Sequence, residues 1–452
     1  MIFNNDNVLS CLDGFAAQKK SNKARRSCVQ CSFVFFLVIV FFTATLAQAH
    51  AQTEARTMSD PRIDEAIALM NQFAERTGIG SGQPTRRYLW TDAFAVCNYL
   101  GLARTTGDQD FLERALQLVE QVHHTLGRHR DDDRRSGWIS GLREQEGEQH
   151  PTRGGLRIGK ELPERAPRDP FDERLEWDRD GQYFHYLSKW MHALDQVTRA
   201  TQQPRFNTWA RELAHSAFEA FTVLPSPAWG PRRMHWKMSI DLTRALVPSM
   251  GQHDPLDGYL SNLQLSATAA ALPQPEPGPN LEQETREYAT MLKRIELVTA
   301  DPLGLGGLLI DAYRLQQLIQ QGALPDPQLL NRLLEAALAG LQHYALSGEL
   351  QLPVQHRLAF RELGLAIGLH ALERMYQAAD RDYKPASTST RLRAQLQALM
   401  QYLPLRDEIE AIWRDPEQQR DATWTGHQDI NEVMLATSLA PDGFLVLMPP
   451  ED

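Results

Sequence analysis

The densest run of groups able to do chemistry is Trp177-Asp178-Arg179-Asp180-Gly181-Gln182-Tyr183-Phe184-His185-Tyr186. Cleaving an acetal link between sugars needs a carboxylic acid beside the leaving oxygen and a second carboxylate that activates water or attacks. Asp180 is the candidate acid/base here. Its partner is Asp254, in His253-Asp254-Pro255-Leu256-Asp257-Gly258, or Asp92, in Arg87-Tyr88-Leu89-Trp90-Thr91-Asp92. Trp90, Trp177 and Tyr183 offer faces on which a sugar ring can stack, with His185 beside them. His235-Trp236-Lys237 adds cationic and aromatic groups suited to a carboxylated sugar, and Asp257 points out of the first turn of its segment. Arg357 and Asp429 complete the expected substrate contacts. Each acid also has a plainer use, because an Asp at a helix start caps free N–H groups and suits the dipole. Asp254 before Pro255 has the form of an N-cap followed by Pro at the first helical position.

Histidine offers a different chemistry. Epimerising a sugar carbon beside a carbonyl needs one base to remove a proton and a second group to return it on the other face, a task suited to two imidazoles near neutrality. His253 and His427 are the expected pair, with His185 and His356 as alternatives. No cofactor is expected and no metal site assembles at convincing spacing. H-E-x-x-H, G-x-S-x-G and P-loop patterns are absent. Asp131-Asp132-Asp133 lies among Arg128, Arg130, Arg134 and Arg135, as in a solvated, salt-laced turn. Gly304-Leu305-Gly306-Gly307 follows no strand, so close packing of a helix explains it better than nucleotide binding.

These groups sit at recurring places. Six segments begin with polar, aromatic or Gly residues and run into helices rich in Ala, Leu and Tyr: residues 87–92, 177–182, 252–257, 301–306, 356–361 and 425–430. Between successive starts lies at least one further amphipathic helix, such as the one carrying Phe111, Leu112, Ala115, Leu116, Val119, Val122 and Leu126. Helices are expected at 255–269, 281–298, 303–320, 327–346, 357–378, 388–402 and 428–439. No long alternation of β-branched residues stands out, so the chain reads as all-α, a ring of six helical hairpins with the six starts gathered at one mouth. The long connection 128–177 and the Pro-rich 273–279 interrupt the pattern without ending it.

This layout, with the character of the six starts, resembles the six-hairpin glycosidase-like superfamily over about residues 60–445. The resemblance implies an (α/α)6 toroid whose active site lies in the mouth formed by the inner-helix starts. It also implies carbohydrate chemistry: glycoside hydrolysis, including removal of unsaturated uronic acids, polysaccharide lyase chemistry, or sugar 2-epimerisation. A glycoside hydrolase-like enzyme acting through paired carboxylates on a sugar or oligosaccharide is the leading expectation. The two-His epimerase or isomerase is the alternative, and a non-catalytic glycan-binding or scaffold toroid the third. Ring-forming families with a Cys/His zinc site fit poorly, since Cys97 stands alone in an apolar helical stretch.

The formal charge is −10. Five Lys and Arg against two Asp make the first 51 residues basic, which leaves the remainder still more acidic. No basic stripe follows residue 60, so a nucleic-acid partner is not expected. Residues 33–49 form an apolar run between basic and small residues, with an A-x-A site at 47–49 or 49–51. Residues 1–51 are therefore expected to be a secretory signal or a membrane anchor, and 52–452 the toroid. The expected location is secreted or periplasmic, membrane-anchored if the run is retained, or cytoplasmic if translation starts at Met58. Any membrane contact would come through 33–49. Only Cys97 follows this segment, so the body holds together without an internal disulfide.

Overall fold

A computed structural model describes residues 60–81, 83–224, 230, 232–323, 327–381 and 387–447. The helices are α1 (Pro61–Thr77), α2 (Leu89–Thr106), α3 (Gln109–Leu126), α4 (Glu144–Gln149), α5 (Glu173–Asp178), α6 (Phe184–Thr201), α7 (Pro204–Phe221) and α8 (Asp254–Ala271). They continue as α9 (Glu282–Leu292), α10 (Pro302–Gln320), α11 (Pro327–Ser347), α12 (Ala359–Arg381), α13 (Ser387–Met400), α14 (Pro404–Trp413), α15 (Ala422–Thr425), α16 (Gln428–Leu439) and α17 (Asp442–Leu445).

Six of these helices form a closed inner ring. α2 packs on α6, α6 on α8, α8 on α10, α10 on α12, α12 on α16, and α16 returns to α2. An outer layer backs them: α3 on α2, α7 on α6, α9 on α8, α11 on α10, α13 and α14 on α12, and α1 on α16. This is the (α/α)6 toroid expected from the repeat. All six marked starts lead into inner helices.

Burial follows from sequence character. Every residue of α2 from Leu89 to Leu102 is buried, as a helix apolar nearly all round must be. The outer helix α3 buries one face, through Phe111, Ala115, Leu118, Val119 and Val122. Gly306 lets α10 and α12 approach closely, for a Cβ there would sit 2.0 Å from the Gly364 carbonyl oxygen. That is the packing use expected of this glycine-rich stretch.

The helix expected over 281–298 ends at Leu292. Beyond it the Glu296 carboxylate accepts from the N–H groups of Leu297 and Val298 at 2.9 and 3.0 Å, turning the chain. α14 is an addition to the expected helices, carried by Leu405, Ile409 and Trp413 at four-residue spacing. Among the described residues, strands are two or three residues long. β1 (Gln182–Tyr183), β4 (Lys237–Met238) and β5 (Ala245–Val247) form one antiparallel sheet, and β2 (Thr222–Val223) pairs with β3 (Arg233–Met234).

The end of the ring opposite the helix starts is plugged by residues 441–447. Phe444 stacks on Phe94 at 4.2 Å, and its carbonyl meets His192 Nε2 at 2.9 Å. The Gln196 amide donates to the Gly443 carbonyl at 2.9 Å, and the Gln317 amide to that of Leu445 at 3.0 Å. The Asp131–Asp133 turn is indeed salt-laced, with Arg130–Asp132 at 2.7 Å and Arg135–Asp133 at 2.8 Å. Cys97 is buried. Among the described residues no helix is long and apolar enough to cross a membrane. The apolar run 33–49, its A-x-A site and Met58 lie outside the described residues.

Candidate active site

The starts of α2, α6, α10, α12 and α16, with segments 159–162 and 177–178, enclose a cavity of about 1050 Å³ at the mouth. Its walls are aromatic: Tyr88, Trp90, Trp177, Tyr186, Trp236 and Phe360. Trp90 and Tyr186 lie 5.4 Å apart, and Trp177 meets Trp236 edge-on at 4.9 Å. The Tyr88 and Tyr186 hydroxyls are 2.7 Å apart, and burial, followed by Tyr88, holds the Tyr186 phenol well above its ordinary pKa. Trp177 is 48% exposed, a large apolar face open to solvent at the rim. Rings with convergent polar groups around a concave space are the usual lining of a small-molecule site.

Three carboxylates reach this cavity. Asp429 accepts from Arg76 Nε at 2.7 Å and lies 3.7 Å from Arg86. Arg76 also clasps the buried Glu432. Asp178 and Glu161 line the same space and have no side-chain hydrogen bond or ion pair among the described residues. Lys160 sits over the Tyr88 ring at 5.3 Å, and Arg361 donates to Asp301 at 3.0 Å. Two histidines complete the lining. Burial pushes His185 down to about 4, and burial with the neighbouring Lys160 charge lowers His427, so both imidazoles are favoured neutral.

Of the residues expected from sequence, Trp90, Trp177, His185, Trp236, His427 and Asp429 come together in this cavity. Tyr183 lies directly behind, its ring 5.4 Å from Trp236 and 5.3 Å from His185. The three acids expected to be catalytic are not there. Asp180 is fully buried, held by Arg157 at 2.6 Å and by the N–H groups of Gly159 and Gly181. Asp92 accepts from the Tyr88 N–H at 2.9 Å with Arg87 at 3.4 Å, and burial pushes it up to about 6. Asp254 accepts from the Gly251 N–H at 2.9 Å, and burial, then the nearby Asp257, pushes it up to about 7. All three are committed to backbone or arginine, so their expected acid/base role gives way to the structural alternative.

Other expectations also shift. Asp257 is buried and accepts from Ser188 and Lys189 at 3.2 and 3.0 Å. Burial works to raise it, yet the Lys189 charge, with Arg314, holds its pKa below the ordinary value. Lys237 donates to the carbonyls of Glu176 and Arg179 at 2.6 and 2.8 Å instead of to a sugar. Arg357 is buried against Glu362 at 2.7 Å. His253 is tied to the Leu297 carbonyl at 3.0 Å and does not line the mouth with His427. His235 lines a different cavity.

The mouth also uses residues that sequence reasoning did not single out as site groups. Tyr88, Phe360 and Arg361 fall inside the marked starts. Lys160 and Glu161 come from the long 128–177 connection, which its length alone made a functional candidate. Arg76 at the end of α1 and Arg86 after it carry no local signal.

No protein-family model matches this chain, and no curated protein matches it in sequence. Solved structures align with it along most of its length. A GH76 alpha-mannanase of Bacteroides thetaiotaomicron is 10% identical, with 85% of this chain and 97% of that one covered and a TM-score of 0.49. A GH76A alpha-1,6-mannanase of Salegentibacter sp. is 11% identical over 84% of this chain and 99% of that one, with a TM-score of 0.47. An inactive variant of the Salegentibacter enzyme in complex with alpha-1,6-mannotriose is 12% identical, with 84% and 99% covered and a TM-score of 0.45. Scores below 0.5 at this identity leave the chemistry of the mouth to its own residues.

Proposed function

We propose that this protein is a glycoside hydrolase that binds an oligosaccharide across the aromatic mouth of its toroid. The observation that carries the reading is two carboxylates in unlike situations on one aromatic cavity. Asp178 has no cation clasping it, while Asp429 is oriented by Arg76. Asp178 acts as the acid that protonates the leaving oxygen, and Asp429 as the carboxylate that activates water or attacks. Trp177, Trp236 and Trp90 hold the sugar faces, and Lys160 with Arg86 contacts outward-pointing hydroxyl or carboxylate groups. An exported location, expected from residues 33–49, suits such a substrate, and N-terminal sequencing of the protein from its host tests it.

The test is incubation of the purified protein with a panel of oligosaccharides, alpha-1,6-mannotriose and uronic-acid-containing chains among them, with new reducing ends as the readout. Asp178→Asn and Asp429→Asn are each expected to lower release by about 10²–10⁴-fold, with the melting temperature of Asp178→Asn unchanged. Absence of release from every substrate, or undiminished release by both variants, rejects the reading.

The neutral pair His185 and His427 on the same cavity favours a second reading, epimerisation of a reducing sugar, with His185 in the place expected for His253. Running the panel in deuterated water separates the two. Deuterium at the carbon beside the carbonyl, lost in His185→Gln and His427→Gln, supports the epimerase.

A further inference from the structure

His235 and Trp236 are neighbours that serve two different spaces. Trp236 lines the mouth, whereas His235 lines a second cavity of about 680 Å³ between the β2–β3 ribbon, residues 248–250 and the end of α9. Its lining differs in kind from the mouth. Met234 and Met291 are buried, Val223, Met250 and Ile295 supply further aliphatic surface, and among the described residues no Phe, Tyr or Trp lines it. Methionine is flexible and polarisable, and it moulds to aliphatic bodies of varied shape, while sugar faces favour flat rings.

Three arginines, Arg232, Arg233 and Arg294, converge on the same cavity. None of them pairs with a carboxylate among the described residues, although the whole chain carries a charge of −10. Arg232 stacks over the Phe218 ring at 5.4 Å, which fixes its plane, and makes one long contact to the Thr222 hydroxyl at 3.4 Å. Its Nε is buried with no hydrogen-bond partner. A buried donor left unpaired is costly, and three like charges around one space repel, so both features favour an anion supplied from outside. Guanidinium groups present planar forks matched to carboxylate or phosphate oxygens.

We propose that this cavity binds an amphipathic anion: a carboxylate or phosphate headgroup held by Arg232, Arg233 and Arg294, with an aliphatic body lying on Met234, Met291 and Ile295. The site is separate from the mouth and does not depend on the reaction run there. Because Arg233 and Arg294 are exposed, their substitution leaves the core intact.

Titration calorimetry on the full chain tests this, with octyl phosphate and octanoate as probes and inorganic phosphate and 1-octanol as controls. The expected result is saturable 1:1 binding of at least one octyl anion, weakened by about tenfold in Arg294→Glu and further in Arg233→Glu with Arg294→Glu. Which of the two anions binds more tightly identifies the headgroup. Met291→Gln weakens the octyl anions, and Trp177→Ala, at the other cavity, leaves them unchanged. Equal binding of 1-octanol, equal binding of inorganic phosphate, an undiminished signal in the double arginine variant, or no saturable binding overturns the proposal.

Discussion

The acids around the helix starts fall into two regions with opposite fates. Asp92, Asp180, Asp254 and Asp257 form a buried collar whose oxygens are taken by backbone N–H groups, Arg, Lys or Ser. Glu161, Asp178 and Asp429 stand above it on the rim of the cavity. Asp178 and Asp180 make the contrast sharpest, because a single residue, Arg179, separates a solvent-facing carboxylate from one with no exposed surface. Asp178 ends α5, and the chain then turns extended at Arg179, with φ −86° and ψ 145°. The Asp180 N–H donates to the Leu162 carbonyl at 2.8 Å, which draws its side chain inward toward Arg157. Position along a motif therefore says less about role than which cation each carboxylate finds.

Substituting the two acids in parallel is the strongest way to break that contrast. Asp178→Asn is expected to lower turnover by about 10²–10⁴-fold, the range for loss of a general acid, with an unchanged thermal melt. Asp180→Asn should do the reverse in kind, destabilising the fold by about 3 kcal/mol by leaving Arg157 and Arg130 buried beside a neutral amide. Denaturant titration alongside initial rates reads both effects. Equal losses of stability in the two variants would erase the distinction between collar and rim.

A smaller effect tests the rim from its aromatic side. Trp177→Ala removes a half-exposed ring that packs on Trp236. KM for the oligosaccharide should rise roughly fivefold, corresponding to about 1 kcal/mol, with turnover nearly unchanged. A fall in turnover with constant KM would instead make Trp177 part of the reacting centre.

A pH slope tests the collar by itself. Asp254 has its folded pKa raised from 3.8 to about 7, so between these values the folded protein holds a proton that the unfolded chain releases. Its contribution to stability is present in full below about pH 4 and is lost as pH rises through about 7. Asp254→Asn keeps an oxygen to accept from the Gly251 N–H and cannot ionise. It should therefore flatten that part of the stability profile, measured as the denaturant midpoint from pH 4 to pH 8. An unaltered slope would mean that Asp254 is ionised in the collar.

Sequence by itself determined the ring. Apolar character nearly all round α2 and on one face of α3 separates inner from outer helices, and each marked start stands at or just before an inner helix because capping, Pro and Gly signals are local. It also marked Trp90, Trp177, His185, His427 and Asp429, at or just after the starts, and Trp236 on the loop before the third start, all of which line one mouth. Only tertiary structure decided which charges are free there. Arg157 and Arg130 reach Asp180 from the long connection, and Arg76 reaches Asp429 from the far end of the chain. Periodicity reports which face of a helix is buried, but a carboxylate's partner and exposure depend on segments that meet only when the ring closes.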